Sequence, residues 1–404
     1  MKGYFRRRGC TCNKKKCTCG ALWSYTVDVG RDPVTNKRKQ KTASGFRTKA
    51  EAEEAANQLI YELNSGTYIE ESDITFNKFV ERWFPVYEQT HNVKPSTVRT
   101  RQCEARRLMS HLKNHKMKEI TRSMYQQALI NLKDSGLTDN TLSNTHACGR
   151  MIFQSAMEQE LIKADPTQYA KLPKTRKTVE ELEQERPLPK FLEKEELNQF
   201  LNATKEYGLL LDYEIFLTLA YTGMRVGELL ALKWKDLDVS QQTISITKTY
   251  FSPKNNTVEY KLLTPKTNKS WRTVDLDPIV IKALLDHKAV QNRIKMQHMD
   301  VYHDKDFIFA KIEKLHYGYP LSIMQVENRM RRALRIAGLN TKLTPHSLRH
   351  THTSLLAAAG VGLEEIMERL GHADDAITRH IYLHITKDKK KEAVQKFSSF
   401  MNSL

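Results

Sequence analysis

Several short stretches of this sequence carry groups that hold anions or move protons. The first is Thr222-Gly223-Met224-Arg225-Val226-Gly227-Glu228, which follows the apolar run Ile215–Ala220. Gly223 reads as a helix C-terminal cap, since glycine enters the left-handed region without a Cβ penalty. Arg225 then falls on the turn between two helices and is placed by the backbone. The second is Thr344-Pro345-His346-Ser347-Leu348-Arg349-His350. Proline suits the first turn of a helix, and residues three apart share a face, so His346 and Arg349 bring an imidazole and a guanidinium to one point. The third is the apolar stripe Leu363, Ile366, Met367 and Leu370, which stops at Gly371 with His372 directly after it. Tyr382 follows ten residues later, inside Thr378-Arg379-His380-Ile381-Tyr382-Leu383-His384. Finally, Pro265-Lys266-Thr267-Asn268-Lys269-Ser270-Trp271-Arg272 reads as a β-turn joining two strands. Singly, each has a bland reading: a surface arginine, a capped helix, a core tyrosine, solvated turn lysines. The ordered set is another matter.

An arginine, a turn lysine, His-x-x-Arg, Gly-His and a tyrosine, in this order and spacing, resemble the tyrosine recombinase (phage integrase) family. The resemblance covers about residues 188–385, and Thr-Gly-x-Arg-x-Gly-Glu and Leu-Gly-His are its most specific parts. It implies a site-specific recombinase that cuts and rejoins DNA through a 3′-phosphotyrosine, for integration and excision of a mobile element. Tyr382 would be the nucleophile, unreactive alone at a usual pKa of ~10. Arg225 and Arg349 would offer forked donors to the phosphoryl oxygens, a geometry lysine cannot match. His346 would accept the proton and His372 would bond a phosphate oxygen. Lys266 would protonate the leaving 5′ oxygen, with Lys269 its nearby rival, and Glu228 would support the Arg225 loop. Fixed cations in a dry site replace a metal in this scheme, so no catalytic cofactor is expected. Two other readings stand beside it: a type IB topoisomerase-like enzyme that relaxes DNA, and a catalytically silent DNA-binding regulator. A separate basic N-terminal unit favours integration over relaxation, and the complete residue set counts against the regulator.

The charge points the same way. Lys and Arg number 65 against 47 acids, a net +18. Residues 1–50 hold 14 of these cations against Asp28 and Asp32 alone, so +12 sits in the first eighth of the chain. Such an excess favours a polyanion, because each neutralised phosphate releases counterions. No apolar run approaches the ~20 residues that span a bilayer, and the first residues lack a signal peptide's apolar stretch. The expectation is a cytoplasmic, nucleoid-associated protein of a bacterial host, with no membrane partner. Cys103 and Cys148 read as reduced core residues, whereas Cys10, Cys12, Cys17 and Cys19 crowd within ten positions. In a reducing compartment that favours metal over disulfides, and four thiolates could close a tetrahedral structural zinc site.

The elements that must position these groups suggest a multidomain, mainly α protein. Residues 1–66 read as a small sheet with one helix. Trp23, Tyr25, Val27 and Val29 alternate along a strand, Lys37–Lys41 form a second, and Thr48 with Glu51 opens a helix along Ala52, Ala55, Ala56, Leu59, Ile60 and Leu63. The resemblance makes this an arm-type DNA-binding domain. Residues 72–170 read as a bundle of four or five helices, the family's core-binding domain, with Ser96 capping one and Asp139 or Thr141 another. Residues 171–187, dense in charge and proline, read as a linker. The catalytic domain, 188–404, reads as helical with a small antiparallel sheet: a strand at Ile244 and Ile246, a pair at Lys261–Thr264 and Arg272–Leu276, and a short strand at Phe307–Phe309. Ala393, Val394, Phe397, Phe400, Met401 and Leu404 recur at helical spacing and leave an apolar face, either for the tail's own catalytic domain or, as four coordinated active sites favour, for a neighbouring protomer. The expected partners are therefore double-stranded DNA at core and arm sites, three further copies in a homotetramer on DNA, and an excision or accessory DNA-bending factor.

Overall fold

The computed structural model describes residues 3–10, 19–31, 36–65, 73–174, 190–253, 256–264, 271–312, 314, 316–371 and 376–385. Outside them lie Lys266, Lys269, His372, Cys12, Cys17, most of the expected linker and the apolar 393–404 segment. The chain divides into two compact units, Met1–Arg176 and Lys177–Leu404.

The first unit opens with an antiparallel sheet of β1 (Tyr4–Arg7), β2 (Trp23–Arg31) and β3 (Arg38–Phe46), in that order. Tyr25 and Val27 point to one face and are buried against Ala56 and Leu59 of α1 (Lys49–Asn64). The Thr48 hydroxyl accepts from the Glu51 amide at 3.2 Å, but the Glu51 carboxylate reaches back to the Arg47 amide and not to Thr48. Period two leaves the other face to Tyr4, Arg6, Thr26, Gln40 and Thr42, with Tyr4, Thr26 and Thr42 in one cross-strand row.

Four helices follow: α2 (Phe76–His91), α3 (Pro95–Leu112), α4 (Arg122–Asp134) and α5 (Asp139–Glu158). Phe76, Phe79, Leu108, Tyr125, Leu142 and Phe153 form their core. Ser96 is not the cap of α3. Lys94 holds that place, because Pro95 supplies a fixed φ and no N–H at the first helical position. At α5 the cap is Thr138, whose hydroxyl accepts from Thr141 N, one residue before the expected Asp139.

The second unit is built around α7 (Asp212–Thr222), buried on nearly all sides through Ile215, Phe216, Leu217, Leu219 and Ala220, as a helix that is apolar all round must be. Around it stand α6 (Lys194–Tyr207), the short α8 (Val226–Leu229), α9 (Pro278–Gln297), α10 (Ile323–Ile336) and α11 (Pro345–Ala359). Two more helices, α12 (Leu363–Leu370) and α13 (Ala376–Ile385), pack on α11 through Ala357, Ile366 and Leu370.

The sheet corrects the expected strand pairing. Lys261–Leu263 (β7) pairs with Thr249–Phe251 (β6), while Arg272–Asp275 (β8) pairs with Thr243–Ile246 (β5), which also meets Leu237–Asp238 (β4). The strands flanking Pro265–Ser270 are thus not each other's partners. Side-chain matching accounts for this: buried Ile244 faces buried Val274, and Tyr250 faces Leu262, so each strand takes the neighbour that completes an apolar face. Phe307–Phe309 form no strand. They are buried at a turn, with a single bridge from Phe307 to Lys233, because their apolar mass belongs to the core and not to a ladder.

Candidate active site

Among the described residues Arg349 is the largest of the fully buried side chains, about 2% exposed. Its guanidinium is held by the ends of two helices. Gly223 closes α7 in the left-handed region (φ 63°) and its carbonyl accepts from Arg349 Nη1 at 2.7 Å. Leu370 is the last residue of α12, Gly371 closes that helix at φ 69°, and the Leu370 carbonyl accepts from Arg349 Nη2 at 2.7 Å. The last carbonyls of a helix have no partner within it and carry its negative end, so a cation between two such ends satisfies both. A Cβ on residue 223 would lie 2.7 Å from both His352 Cδ2 and Leu370 Cδ2, so the turn requires glycine for space as well as for φ. The two glycine caps read from the sequence are where Arg349 is anchored.

Arg225 stands just before α8 as its N-cap. Its Nη1 donates to Glu228 Oε1 at 2.9 Å and its amide to Glu228 Oε2 at 3.0 Å. The buried Glu228 takes a third bond from Arg272 Nη2, at 2.8 Å. Burial pushes the Glu228 carboxyl up, yet the Arg272 and Arg225 guanidiniums outweigh it and hold it below the usual carboxylate value. Arg272 opens β8 opposite Ile246 and donates from Nε to the Arg369 carbonyl at 3.0 Å, one residue before the carbonyl that Arg349 binds.

Behind this array lies His352, one turn along α11 from Arg349. Its Nδ1 bonds the Ala220 carbonyl at 2.8 Å and its Nε2 accepts from Arg369 Nε at 3.2 Å, which assigns the proton to Nδ1. Burial, with Arg369 and Arg349 adding their charge, lowers its pKa to about 4. Arg369 also donates to the carbonyls of Tyr221 and Asp275, at 3.2 and 2.9 Å.

His346 lies in the first turn of α11, exposed, with its ring edge-on to His350 at 4.7 Å. Tyr382 is half-buried on α13 and packs on the cluster of Ala357, Ile366 and Leu370. The structure thus brings Arg225, Glu228 and Arg349 into one network around the α7 and α12 ends, sets His346 on the helix that carries Arg349, and rests Tyr382 on the Leu370 side. Lys266 and His372 lie outside the described residues. Tyr302 and Tyr319 are engaged elsewhere, Tyr302 accepting from Gln291 and Tyr319 stacking on His303. Sequence reasoning missed His352, Arg272 and Arg369. For His352 a signal existed: it sits three residues after Arg349 and so shares its helix face.

In the first unit, Cys10 and Cys19 place their sulfurs 3.6 Å apart. A tetrahedral site with Zn–S bonds of ~2.3 Å sets its sulfurs about 3.8 Å apart, so this pair fits two corners of such a site. Among the described residues no helix is long and apolar enough to cross a membrane.

Comparison with known proteins extends the picture. The model of the phage integrase family matches residues 190–389, that of an arm DNA-binding domain residues 13–63, and that of the phage integrase N-terminal SAM-like domain residues 75–132. The integrase of Staphylococcus phage L54a is 29% identical over 360 residues, which cover 84% of this chain and 97% of the relative. The Tn1549 transposon integrase, solved in complex with transposon right end DNA, superposes with a TM-score of 0.61 at 21% identity, covering 80% of this chain and 100% of that one. A lambda integrase tetramer bound to a Holliday junction gives a TM-score of 0.52 at 17% identity, covering 89% of this chain and 92% of that one. The two solved structures share the fold of this chain.

Proposed function

We propose, from the premise that this chain belongs to the phage integrase family and is a site-specific tyrosine recombinase, that Tyr382 opens the DNA phosphodiester while Arg225 and Arg349 hold the phosphate. The Tyr382 phenolic oxygen attacks phosphorus, a bond to the tyrosine forms, and the bond to the 5′ oxygen breaks. His346 takes the phenol's proton and Lys266 gives one to the departing 5′ oxygen. His372 bonds a non-bridging oxygen. The 3′-phosphotyrosine conserves the bond energy, so a second 5′-hydroxyl reverses the attack and reseals without ATP. The observation that carries this reading is the clamp on Arg349. Fixing a guanidinium by two main-chain carbonyls removes most of its reorganisation cost, which is what stabilising charge on a pentacoordinate phosphorus requires.

Double-stranded DNA is the substrate in this reading. The second unit and the helical bundle engage the core site. The sheet face bearing Tyr4, Arg6, Gln40 and Thr42 engages arm DNA, since a small sheet fits a groove and this segment holds the densest positive charge. A homotetramer on DNA, joined in trans by the apolar 393–404 face, fits a reaction that exchanges four strands. An accessory bending factor and action at the host nucleoid follow from arm-site binding. Cys10, Cys12, Cys17 and Cys19 would hold one structural zinc that ties β1 to β2, with no part in the chemistry.

The test uses duplexes spanning the boundaries of the element that carries the gene, nicked so that the freed 5′ fragment diffuses away. The protein should become covalently attached to the 3′ side, and Tyr382→Phe should bind the same duplex but leave no adduct. A persistent adduct in that variant would displace Tyr382 as nucleophile and direct the search to Tyr319 and Tyr302. An enzyme that relaxes supercoils without ever joining two duplexes would be a topoisomerase.

A further inference from the structure

We propose that Arg272 is a positioning residue for Arg225, acting through the Glu228 carboxylate that both guanidiniums share. Arg225 needs such help. Its side chain is about 40% exposed, so water competes for its bond to the Glu228 carboxylate, whereas the Arg272 side chain is only 6% exposed and bonds Glu228 from the dry side. Glu228 Oε2 serves two donors, Arg272 Nη2 at 2.8 Å and the Arg225 amide at 3.0 Å, while Oε1 faces Arg225 Nη1. Arg272 thus fixes the plane of the carboxylate, and the carboxylate fixes both the turn and the guanidinium of Arg225. Arg272 is itself anchored twice. The β8 ladder sets it opposite Ile246, and its Nε bond to the Arg369 carbonyl ties it to the last turn of α12. A guanidinium suits this place because one planar group donates from Nε and Nη2 to two acceptors at fixed angles, which an ammonium cannot do.

Removing Arg272 leaves Glu228 buried with Arg225 as its charged partner here, and the pair is then free to tilt. The loss should appear wherever Arg225 meets negative charge. This inference rests on the reading that Arg225 contacts the scissile phosphate, and the experiment separates the two. Cleavage is measured at saturating DNA on the nicked duplex, with either a normal phosphate or a methylphosphonate at the scissile position. The methylphosphonate removes one anionic oxygen, so guanidinium contacts to the phosphate matter less.

A misplacement of about 1 Å can cost ~100-fold in rate. Arg272→Ala should lose 10- to 100-fold or so on the phosphate, and that deficit should shrink by about tenfold on the methylphosphonate. Arg272→Lys, which keeps the charge but not the fork, should show a smaller deficit that shrinks in the same way. General damage to the unit would slow both substrates equally, and equal deficits overturn the proposal. So does a full rate on the phosphate. Arg225→Ala is the control for the premise: if its own deficit fails to shrink, the phosphate reading of Arg225 is wrong. If it shrinks while that of Arg272→Ala does not, Arg272 acts only as scaffold. Should Arg272→Ala not fold by circular dichroism, Arg272→Lys decides by the same comparison.

Discussion

Acid should loosen the second unit through His352. The imidazole titrates at about 4 in the folded chain, against ~6.5 in an unfolded one. A folded value below the unfolded one means that the unfolded chain binds the proton first as the pH drops. The contribution of His352 is therefore complete above pH ~6.5 and is lost progressively as the pH falls towards 4. Between pH 7 and pH 5 the loss is about 2 kcal/mol, a ~30-fold change in an opening equilibrium. The charged groups that face the ring, Arg369 and Arg349, keep their charge over this range and so add no titration of their own. Glu228, held low by its guanidiniums, Asp212 and Glu214, pushed up by burial, and His287, pushed down by burial, are common to both proteins compared and cancel in the difference. The measurement is hydrogen exchange of the α7 and α11 amides in the full chain, at pH 7 and pH 5, corrected for intrinsic rates. The chain with His352 should lose about 30-fold in protection, and His352→Gln, with nothing to titrate there, should lose far less. Equal pH dependence in the two proteins would refute the assignment of a buried neutral imidazole bracing Ala220 and Arg369.

Three further outcomes are expected. Gly223→Ala should cost ~1–2 kcal/mol for the left-handed residue alone, and more because its Cβ meets His352 and Leu370 at 2.7 Å; a lower melting temperature and slower adduct formation should appear together, and an unchanged melting temperature would contradict the close packing. Covalent adduct formation should proceed fully in EDTA, since guanidiniums replace a metal at the phosphate; a strict Mg²⁺ requirement for cleavage would defeat that scheme. Reduced protein should carry one zinc that Cys10→Ser with Cys19→Ser removes, weakening arm-site binding but not cleavage of a core duplex; metal analysis below about half an equivalent would reject the site.

What the sequence disclosed was mostly punctuation. Gly223, Pro345 and Gly371 announced helix ends because each residue type has a backbone reason to stand there, and the structure places a cap or first turn at all three. The Arg225 turn and the shared helix of His346 and Arg349 followed from those boundaries. Less local features were not legible. The segment after Leu263 looked like a simple hairpin turn, yet the partners of β7 and β8 were decided by Tyr250 and Ile244, about 10–30 residues back in the chain. Phe307–Phe309 had strand composition, but burial alone accounts for three apolar residues in a row. Arg369 and, in part, Arg272 were missed because they bond carbonyls of residues far off in sequence, which leave no trace in side-chain spacing, whereas the trace of His352, its spacing from Arg349, went unused.

That choice of partner has an evolutionary consequence. Arg349 is held by the carbonyls of Gly223 and Leu370, His352 by that of Ala220, Arg272 in part by that of Arg369, and Arg369 by those of Tyr221 and Asp275. Every residue type presents the same carbonyl, so substitution at an accepting position cannot delete the bond unless it moves the backbone. The donors bear most of the mutational risk, and the acceptors can drift, except Gly223, which its own turn requires. Descendants of this chain could therefore change the side chains lining the α7 and α12 ends, and with them whatever those surfaces touch, while the cations stay where they are. A search for correlated substitutions would not report the two carbonyls that hold Arg349.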